Sequence, residues 1–219
     1  MGCEGAHLEF PAKLVLDDVT LGVHEGDRIG IVGKNGDGKS TLLGVLAGQI
    51  ELEGGLVRRT RGLTVGVLGQ TDSLSDDATV GYSVVGDAPE YEWASDPRIR
   101  EIISELIADI DWNAKVGTLS GGQRRRVDLT RLLIGDYDVI MMDEPSLGLA
   151  PNIVDDILEV AKTMVKNDGI SVLLVEQDIT KALAAADRGY VIENGRVALE
   201  GTAAELSANE HVKKAYLGI

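Results

Sequence analysis

The segment Gly33-Lys34-Asn35-Gly36-Asp37-Gly38-Lys39-Ser40 constrains this chain more than any other part of the sequence. It follows the apolar run 29–32 and leads into a helix-like stretch, the context in which a G-x-x-x-x-G-K-[ST] pattern predicts a phosphate-binding loop. Glycines let the backbone fold closely around phosphates, which the loop amides and the start of the helix then hold. The residues predicted to surround the phosphates are Gly33, Asn35, Gly36, Gly38, Lys39, Ser40 and Thr41. Lys39 adds a positive charge, and Ser40 offers a hydroxyl to a metal ion.

An acidic pair follows a second apolar run. Asp143 and Glu144 come directly after Tyr137–Met142, which has the continuous apolar character of a buried parallel strand. Mg²⁺ is bound by one or two carboxylates together with water and phosphate oxygens, so Asp143 is a candidate metal ligand. Glu144 is a candidate general base, or orienting group, for an attacking water.

A third motif, Leu119-Ser120-Gly121-Gly122-Gln123, places small residues and a hydroxyl at a predicted helix start. Free amides and the helix dipole at such a start favour an anion such as a γ-phosphate. Ser120, Gly121, Gly122 and Gln123 are therefore candidate nucleotide-binding residues.

Strand and helix patterns alternate along the chain, which predicts an α/β domain. Residues 71–96 show little periodicity and are expected to be irregular, whereas an amphipathic helix is predicted from Pro97 to about Trp112. Asn194-Gly195 between two apolar runs predicts a tight hairpin.

Composition narrows the classes of function. The formal charge of −15 makes a nucleic-acid partner unlikely, because affinity for nucleic acid comes from Lys and Arg at the phosphate backbone. The single cysteine, Cys3, cannot form an internal disulfide, and no apolar stretch approaches the length of about 18 residues needed to span a membrane. We expect a soluble protein of the cytoplasm.

Over nearly its whole length the chain resembles the ATP-binding cassette superfamily. The resemblance implies a P-loop NTPase fold with a mixed central sheet, an N-terminal antiparallel β subdomain and a small helical subdomain. By this resemblance the ATP-binding core is residues 1–69 and 136–219, and the helical subdomain is residues 70–135. It also implies ATP and Mg²⁺ as cofactors and a second copy of the cassette as partner. The motif at residues 119–123 is then the signature motif, which faces the nucleotide of the other copy.

The resemblance suggests further roles for individual residues. Gln70 occupies the position of a glutamine that contacts metal and water, with an ordinary polar loop residue as the alternative. Phe10 is expected to stack on adenine, with a core position as the alternative. Gln177 replaces the usual switch histidine, and Ala150 replaces the usual D-loop aspartate. We expect the Asp37 carboxylate to point away from the phosphates, which it would otherwise repel.

Two families contribute to the resemblance. Residues 1–145 resemble a cassette of the ABC-F class, which acts on ribosomes, and residues 144–219 resemble the ATPase subunit of branched-chain amino acid importers. An importer subunit would dock on a membrane subunit, and a ribosome factor would carry two cassettes. We favour a hybrid of the two families that hydrolyses ATP, with packing faults where residues 139–143 meet 153–175. A nucleotide-binding module with little turnover is the alternative of a different class.

Overall fold

Residues 1–11 and 13–217 are described by the computed structural model, and they form two units. Unit 1 consists of residues 1–67, 137–144 and 164–219. Unit 2 consists of residues 68–136 and 145–163. Among the described residues, no helix combines the length and apolar content needed to cross a bilayer.

Unit 1 begins with an antiparallel sheet of three strands in the order β2-β1-β4. These strands are β1 (Gly2–Phe10), β2 (Lys13–Gly22) and β4 (Gly54–Arg58). Buried residues two positions apart occur in both β1 and β2, as with Ala6 and Leu8 in β1 and Val19 and Leu21 in β2. This period of two is the pattern of a sheet with one covered face.

The second sheet has six strands in the order β5-β6-β7-β3-β8-β9. They are β3 (Arg28–Val32), β5 (Val65–Leu68), β6 (Val139–Asp143), β7 (Ser171–Glu176), β8 (Arg188–Glu193) and β9 (Arg196–Thr202). Strands β6, β7, β3 and β8 are parallel neighbours, and β9 is antiparallel to β8. The sheet is therefore mixed, and the predicted α/β class and N-terminal antiparallel sheet are confirmed.

Helices of unit 1 are α1 (Lys39–Ala47), α7 (Ile179–Ala185), α8 (Ala203–Ala208) and α9 (Glu210–Val212), followed by a π-helical turn, Lys213–Leu217. The predicted hairpin at Asn194-Gly195 is confirmed. Both residues have positive φ angles, 50° and 77°, as a tight turn between β8 and β9 requires.

Unit 2 is helical. It contains α2 (Val80–Val85), α3 (Glu90–Trp93), α4 (Pro97–Ile107), a 3₁₀ turn (Val116–Thr118) and α5 (Gly121–Ile134). Helix α6 (Pro151–Asp168) contains residues of both units. Helices α2 and α4 both contact α5. The apolar face predicted for α4 is core, because Ile102, Leu106 and Ile107 are buried.

Two predictions for unit 2 were wrong. Residues 71–96 are not irregular throughout, because α2 and α3 lie within them; the Thr79 hydroxyl caps α2 by accepting from the Tyr82 amide. Helices this short carry too few turns to show a period. Helix α4 ends at Ile107 rather than near Trp112, since Asp111 forms a turn with the Asn113 amide and the Trp112 carbonyl accepts from Gly81.

The strands at the expected family junction pair without interruption. Val139 to Asp143 of β6 pair in register with Ser171 to Val175 of β7. Their apolar side chains are buried, with Met141, Met142 and Leu173 exposed by 3% or less. This pairing gives no support to packing faults between β6 and β7.

Candidate functional site

The candidate phosphate loop connects β3 to α1 along a close-packed path. A Cβ atom on Gly33 would lie 2.3 Å from the Ile192 carbonyl oxygen, and one on Gly38 would lie 2.5 Å from that of Val15. Gly38 also has a φ of 98°, which L side chains rarely adopt. Glycine is therefore required at both positions by the backbone alone.

Lys39 is buried within this loop. Its ammonium Nζ donates to the carbonyl oxygens of Gly33, at 2.8 Å, and Lys34, at 3.0 Å. Burial lowers the pKa of Lys39, and the carboxylates of Glu144, Asp37, Asp143 and Glu176 oppose that shift. The loop carbonyls thus hold the ammonium group inside the loop, where it can donate hydrogen bonds to phosphate oxygens instead.

Two oxygen groups suited to a magnesium ion meet at the start of α1. The Ser40 hydroxyl donates to Asp143 Oδ1 at 3.1 Å, and Asp143 is only 5% exposed at the end of β6. Hard oxygen ligands of this kind fit Mg²⁺, which fills its remaining positions with water and phosphate oxygens. Among the described residues there is no group of three or more His, Cys, Asp and Glu side chains suited to a metal.

Glu144 is held by a neighbouring strand. Its amide donates to the Val175 carbonyl at 2.9 Å, and its side chain accepts from Gln177 Nε2 at 2.7 Å. Glu144 is 7% exposed and has a φ of 50°, which is unusual for a residue with a side chain. Strands β6, β7 and β3 are parallel neighbours, so the residues that follow their carboxyl ends come together at one end of the sheet. These residues are Lys39, Ser40, Asp143, Glu144 and Gln177.

Phe10 ends β1 with 48% of its surface exposed, so a core position, the alternative to stacking, is wrong. Lys13, opposite Phe10 in the strand register, donates from Nζ to the Gly36 carbonyl at 2.5 Å. Lys13 therefore connects the β1–β2 hairpin to the phosphate loop. Lys13 was not among the predicted site residues; the only sign of it in the sequence is a basic residue shortly after the aromatic one.

The Asp37 carboxylate lies against the loop backbone, where its Oδ2 accepts from the Lys34 amide at 2.8 Å. Its predicted orientation away from bound phosphates stays a prediction. A hydrogen bond from an amide to a carboxylate is charge-assisted and therefore stronger than one between neutral groups.

The signature motif lies in unit 2 at the start of α5. The Ser120 side chain accepts from the Gln123 amide, and Gln123 Oε1 accepts from the Ser120 amide, which together form a capping box. The first turn carries no acidic residue, and a Cβ on Gly121 would meet no atom within 4 Å. Gln70 is also in unit 2, exposed, just after β5.

The arginines after the signature are bound within unit 2. Arg124 forms ion pairs with Asp72, at 2.8 Å, and Asp76, at 2.5 Å. Arg126 pairs with Asp109 at 2.6 Å. These guanidinium groups satisfy neighbouring carboxylates of the same unit.

The chain is similar to known ATP-binding proteins of transport and export systems. The family described as ABC transporter matches residues 16–147. The chain is similar to the high-affinity branched-chain amino acid transport ATP-binding protein BraG of Pseudomonas aeruginosa, with 34% identity over 93% of each chain. It is also similar to the lipopolysaccharide export system ATP-binding protein LptB of Escherichia coli K12, with 29% identity over 95% of this chain and 93% of LptB.

Among solved structures, the fold is similar to the dimeric structure of MJ0796, a bacterial ABC transporter cassette. The TM-score is 0.78 with 21% identity, over 92% of this chain and 98% of MJ0796. BraG and LptB each match more than nine-tenths of the chain, and so extend over both sides of residue 145. These similarities give no support to an ABC-F half or to a junction between two families. With the family matched over most of the chain and the residues of the phosphate loop gathered beside Asp143 and Glu144, the chain belongs to the ABC transporter family and is an ATP hydrolase, the ATP-binding cassette of that family.

Proposed function

We propose that this chain is the ATPase subunit of a membrane transporter, binding Mg·ATP and hydrolysing it between two copies arranged head to tail. The observation that carries the proposal is the convergence of Ser40, Asp143 and Glu144 where the start of α1 meets the end of β6. Ser40 and Asp143 offer a hydroxyl and a carboxylate to the metal ion. Glu144 supplies a second carboxylate, which Gln177 holds in place. This arrangement has the parts that hydrolysis of a phosphoanhydride requires.

In this proposal the residues have the following roles. The loop amides and Lys39 bind the β- and γ-phosphates, and Ser40 and Asp143 hold Mg²⁺, which neutralises charge on the phosphates when bound. Glu144, the residue that follows β6, orients the attacking water and accepts its proton, since a carboxylate held in place can act as a general base. Phe10 stacks on adenine, and Gln70 contacts the metal and the water. Ser120, Gly121, Gly122 and Gln123 face the nucleotide of the second copy.

The transporter context rests on the relatives. BraG is 34% identical and is named as an ATP-binding protein of branched-chain amino acid transport. We therefore propose an importer of small hydrophobic amino acids as the first context, with residues 70–135 as the helical subdomain that docks on the membrane subunit and residues 1–69 and 136–219 as the core. The protein would then lie at the cytoplasmic face of the membrane. The relatives do not support the hybrid and ribosome-acting interpretations.

Replacing the base tests hydrolysis. Glu144→Gln preserves shape but cannot accept a proton, so we expect hydrolysis to slow by roughly 100-fold or more while ATP still binds. An ATP-bound dimer should accumulate and be visible by size-exclusion chromatography with light scattering. Lys39→Ala is the matched control: it removes the charge at the phosphates, so neither binding nor dimer is expected.

Wild-type turnover in the Glu144→Gln variant would contradict the role given to Glu144. ATP binding without measurable turnover in the unaltered chain would instead favour a nucleotide-binding module with little activity. Ala150 and Gln177, which depart from the usual cassette residues, are the observations that keep this second function under test.

A further inference from the structure

Asp37 places a carboxylate in the middle of the candidate phosphate loop. A negative charge at such a position repels the phosphates that the loop is built to bind, so it should weaken nucleotide binding unless it has another task. The pattern G-x-x-x-x-G-K-[ST] leaves this position open and assigns it no role.

Every polar contact that the structure gives Asp37 is with backbone. Its Oδ2 accepts from the Lys34 amide at 2.8 Å, and its Oδ1 accepts from the Asn194 amide at 3.3 Å. Its own amide donates to the Lys34 carbonyl at 3.2 Å, and its carbonyl accepts from the Gly195 amide at 3.2 Å. Asp37 thus joins the middle of the loop to its beginning at Lys34 and to the turn between β8 and β9.

That turn is itself firmly held. The Gly195 carbonyl accepts from the Asp17 amide on β2 at 2.8 Å. A Cβ on Gly195 would lie 2.5 Å from the Val15 carbonyl oxygen, so the turn lies directly against β2. Arg196, next along the chain, pairs with the Asp17 carboxylate. The turn is therefore held in position by β2.

We propose that Asp37 is a positioning residue for nucleotide binding: it fastens the phosphate loop to the Asn194-Gly195 turn and so holds the loop amides in their binding arrangement. It does not touch the nucleotide. Both carboxylate oxygens are used by amides, which offsets the charge that would otherwise face the phosphates. The proposal rests on the proposed function, because it assumes that the loop binds Mg·ATP.

The proposal predicts whether nucleotide affinity rises or falls when the Asp37 carboxylate is removed. If Asp37 were only a tolerated negative charge, its removal would relieve repulsion and strengthen nucleotide binding. If it positions the loop, its removal frees the Lys34 amide and the turn, and nucleotide binding weakens. The two effects have opposite directions, so the measured change in affinity distinguishes them.

The experiment titrates Mg·ATP and Mg·ADP into the full chain by calorimetry, for the unaltered protein, Asp37→Asn, Asp37→Ala and Asp18→Asn. Asparagine keeps one acceptor oxygen but turns an NH₂ group towards the second amide, and alanine keeps neither. Asp18→Asn is the matched control, because Asp18 is an exposed carboxylate on β2 with a φ of 59°, a conformation that asparagine also tolerates.

We expect Asp37→Asn to weaken both nucleotides by roughly tenfold, as loss of one charge-assisted hydrogen bond would, and Asp37→Ala to weaken them further. Asp18→Asn should bind as the unaltered chain does or slightly more tightly. In turnover assays the KM for ATP should rise in Asp37→Asn while kcat stays within about twofold. The reason is that Asp143 and Glu144, at the end of β6, take no part in the hydrogen bonds described for Asp37.

Unchanged or tighter binding in Asp37→Asn would overturn the proposal. So would a melting temperature that falls in the absence of nucleotide for Asp37→Asn but not for Asp18→Asn, with KM unchanged, because that result assigns Asp37 to general stability. Failure of the unaltered chain to bind ATP would instead overturn the proposed function, and is seen in the first titration.

Discussion

At the scale of single residues, Glu144 occupies a conformation that costs free energy. A φ of 50° on a residue with a side chain is sparsely populated, and such strain persists only where neighbours enforce it. Here the Val175 carbonyl holds the Glu144 amide, and Gln177 holds its carboxylate at 2.7 Å. The result is a carboxylate held in a fixed position by its neighbours, as a general base requires.

Gln177 should therefore act through Glu144. We expect Gln177→Ala to lower kcat by more than tenfold with little change in the KM for ATP, because the carboxylate loses its support while the phosphate loop is untouched. Gln177→His should restore much of the rate, since an imidazole N–H can donate to the same oxygen. Steady-state kinetics decide the point; an alanine variant with wild-type kcat would show that Glu144 is held adequately without Gln177.

At the scale of elements, the two tryptophans of unit 2 pack against each other, and one of them packs against α2. The rings of Trp93 and Trp112 lie 5.2 Å apart, centroid to centroid, with 32° between their planes. The rings are tilted rather than stacked face to face, at a separation within the range of about 4.5–7 Å of favourable aromatic pairs. The Trp112 indole lies so close to Gly81 of α2 that a Cβ there would be 2.2 Å from Nε1. Helix α2 thus depends on the absence of a side chain at one position.

Gly81→Ala should destabilise unit 2. The added methyl group overlaps a large ring that is already packed against Trp93, and overpacking of this kind costs about 1–3 kcal/mol. Denaturant unfolding followed by tryptophan fluorescence measures the loss, because both tryptophans of the chain belong to this pair. Gly69→Ala is the control, since its Cβ would meet only the Thr71 carbonyl at 3.6 Å. Equal stability of the two variants would show that Trp112 can move aside at no cost.

At the scale of the whole molecule, the net charge of −15 bears on assembly. Two copies of the chain repel each other at long range, and ATP brings further negative charge to the interface. Salt screens this repulsion, whereas contacts at short range change little. The ATP-dependent dimer should accordingly form more readily as salt concentration rises.

The salt dependence can be measured with the Glu144→Gln variant and Mg·ATP. We expect the dimer fraction, followed by light scattering at a fixed subunit concentration, to increase between about 0.05 and 0.5 M salt, over which the screening length falls severalfold. The same series without nucleotide is the control for non-specific association. A dimer fraction that falls with salt would show that local ion pairs across the interface outweigh the net charge.

Much of the site was predictable from sequence because its groups are local. The phosphate loop needs glycines, a lysine and a hydroxyl within eight positions, and Asp143 and Glu144 follow their strand directly. Helix α5 was predictable because its pattern extends over several turns, and β6 because a continuous apolar run is typical of a buried parallel strand. Helices α2 and α3 were not, because six and four residues carry too little periodicity.

The sequence by itself determined the alternation of strands and longer helices, the candidate phosphate loop and the acidic pair at the end of β6, because each depends on neighbours in the chain. Only the tertiary structure decided that Gln177 holds Glu144, that Lys13 contacts Gly36 and that Asp37 binds the Asn194 amide, 157 residues away. These contacts depend on which strands are neighbours in the sheet. Strand order is set by the packing of the entire core, and no local pattern encodes it.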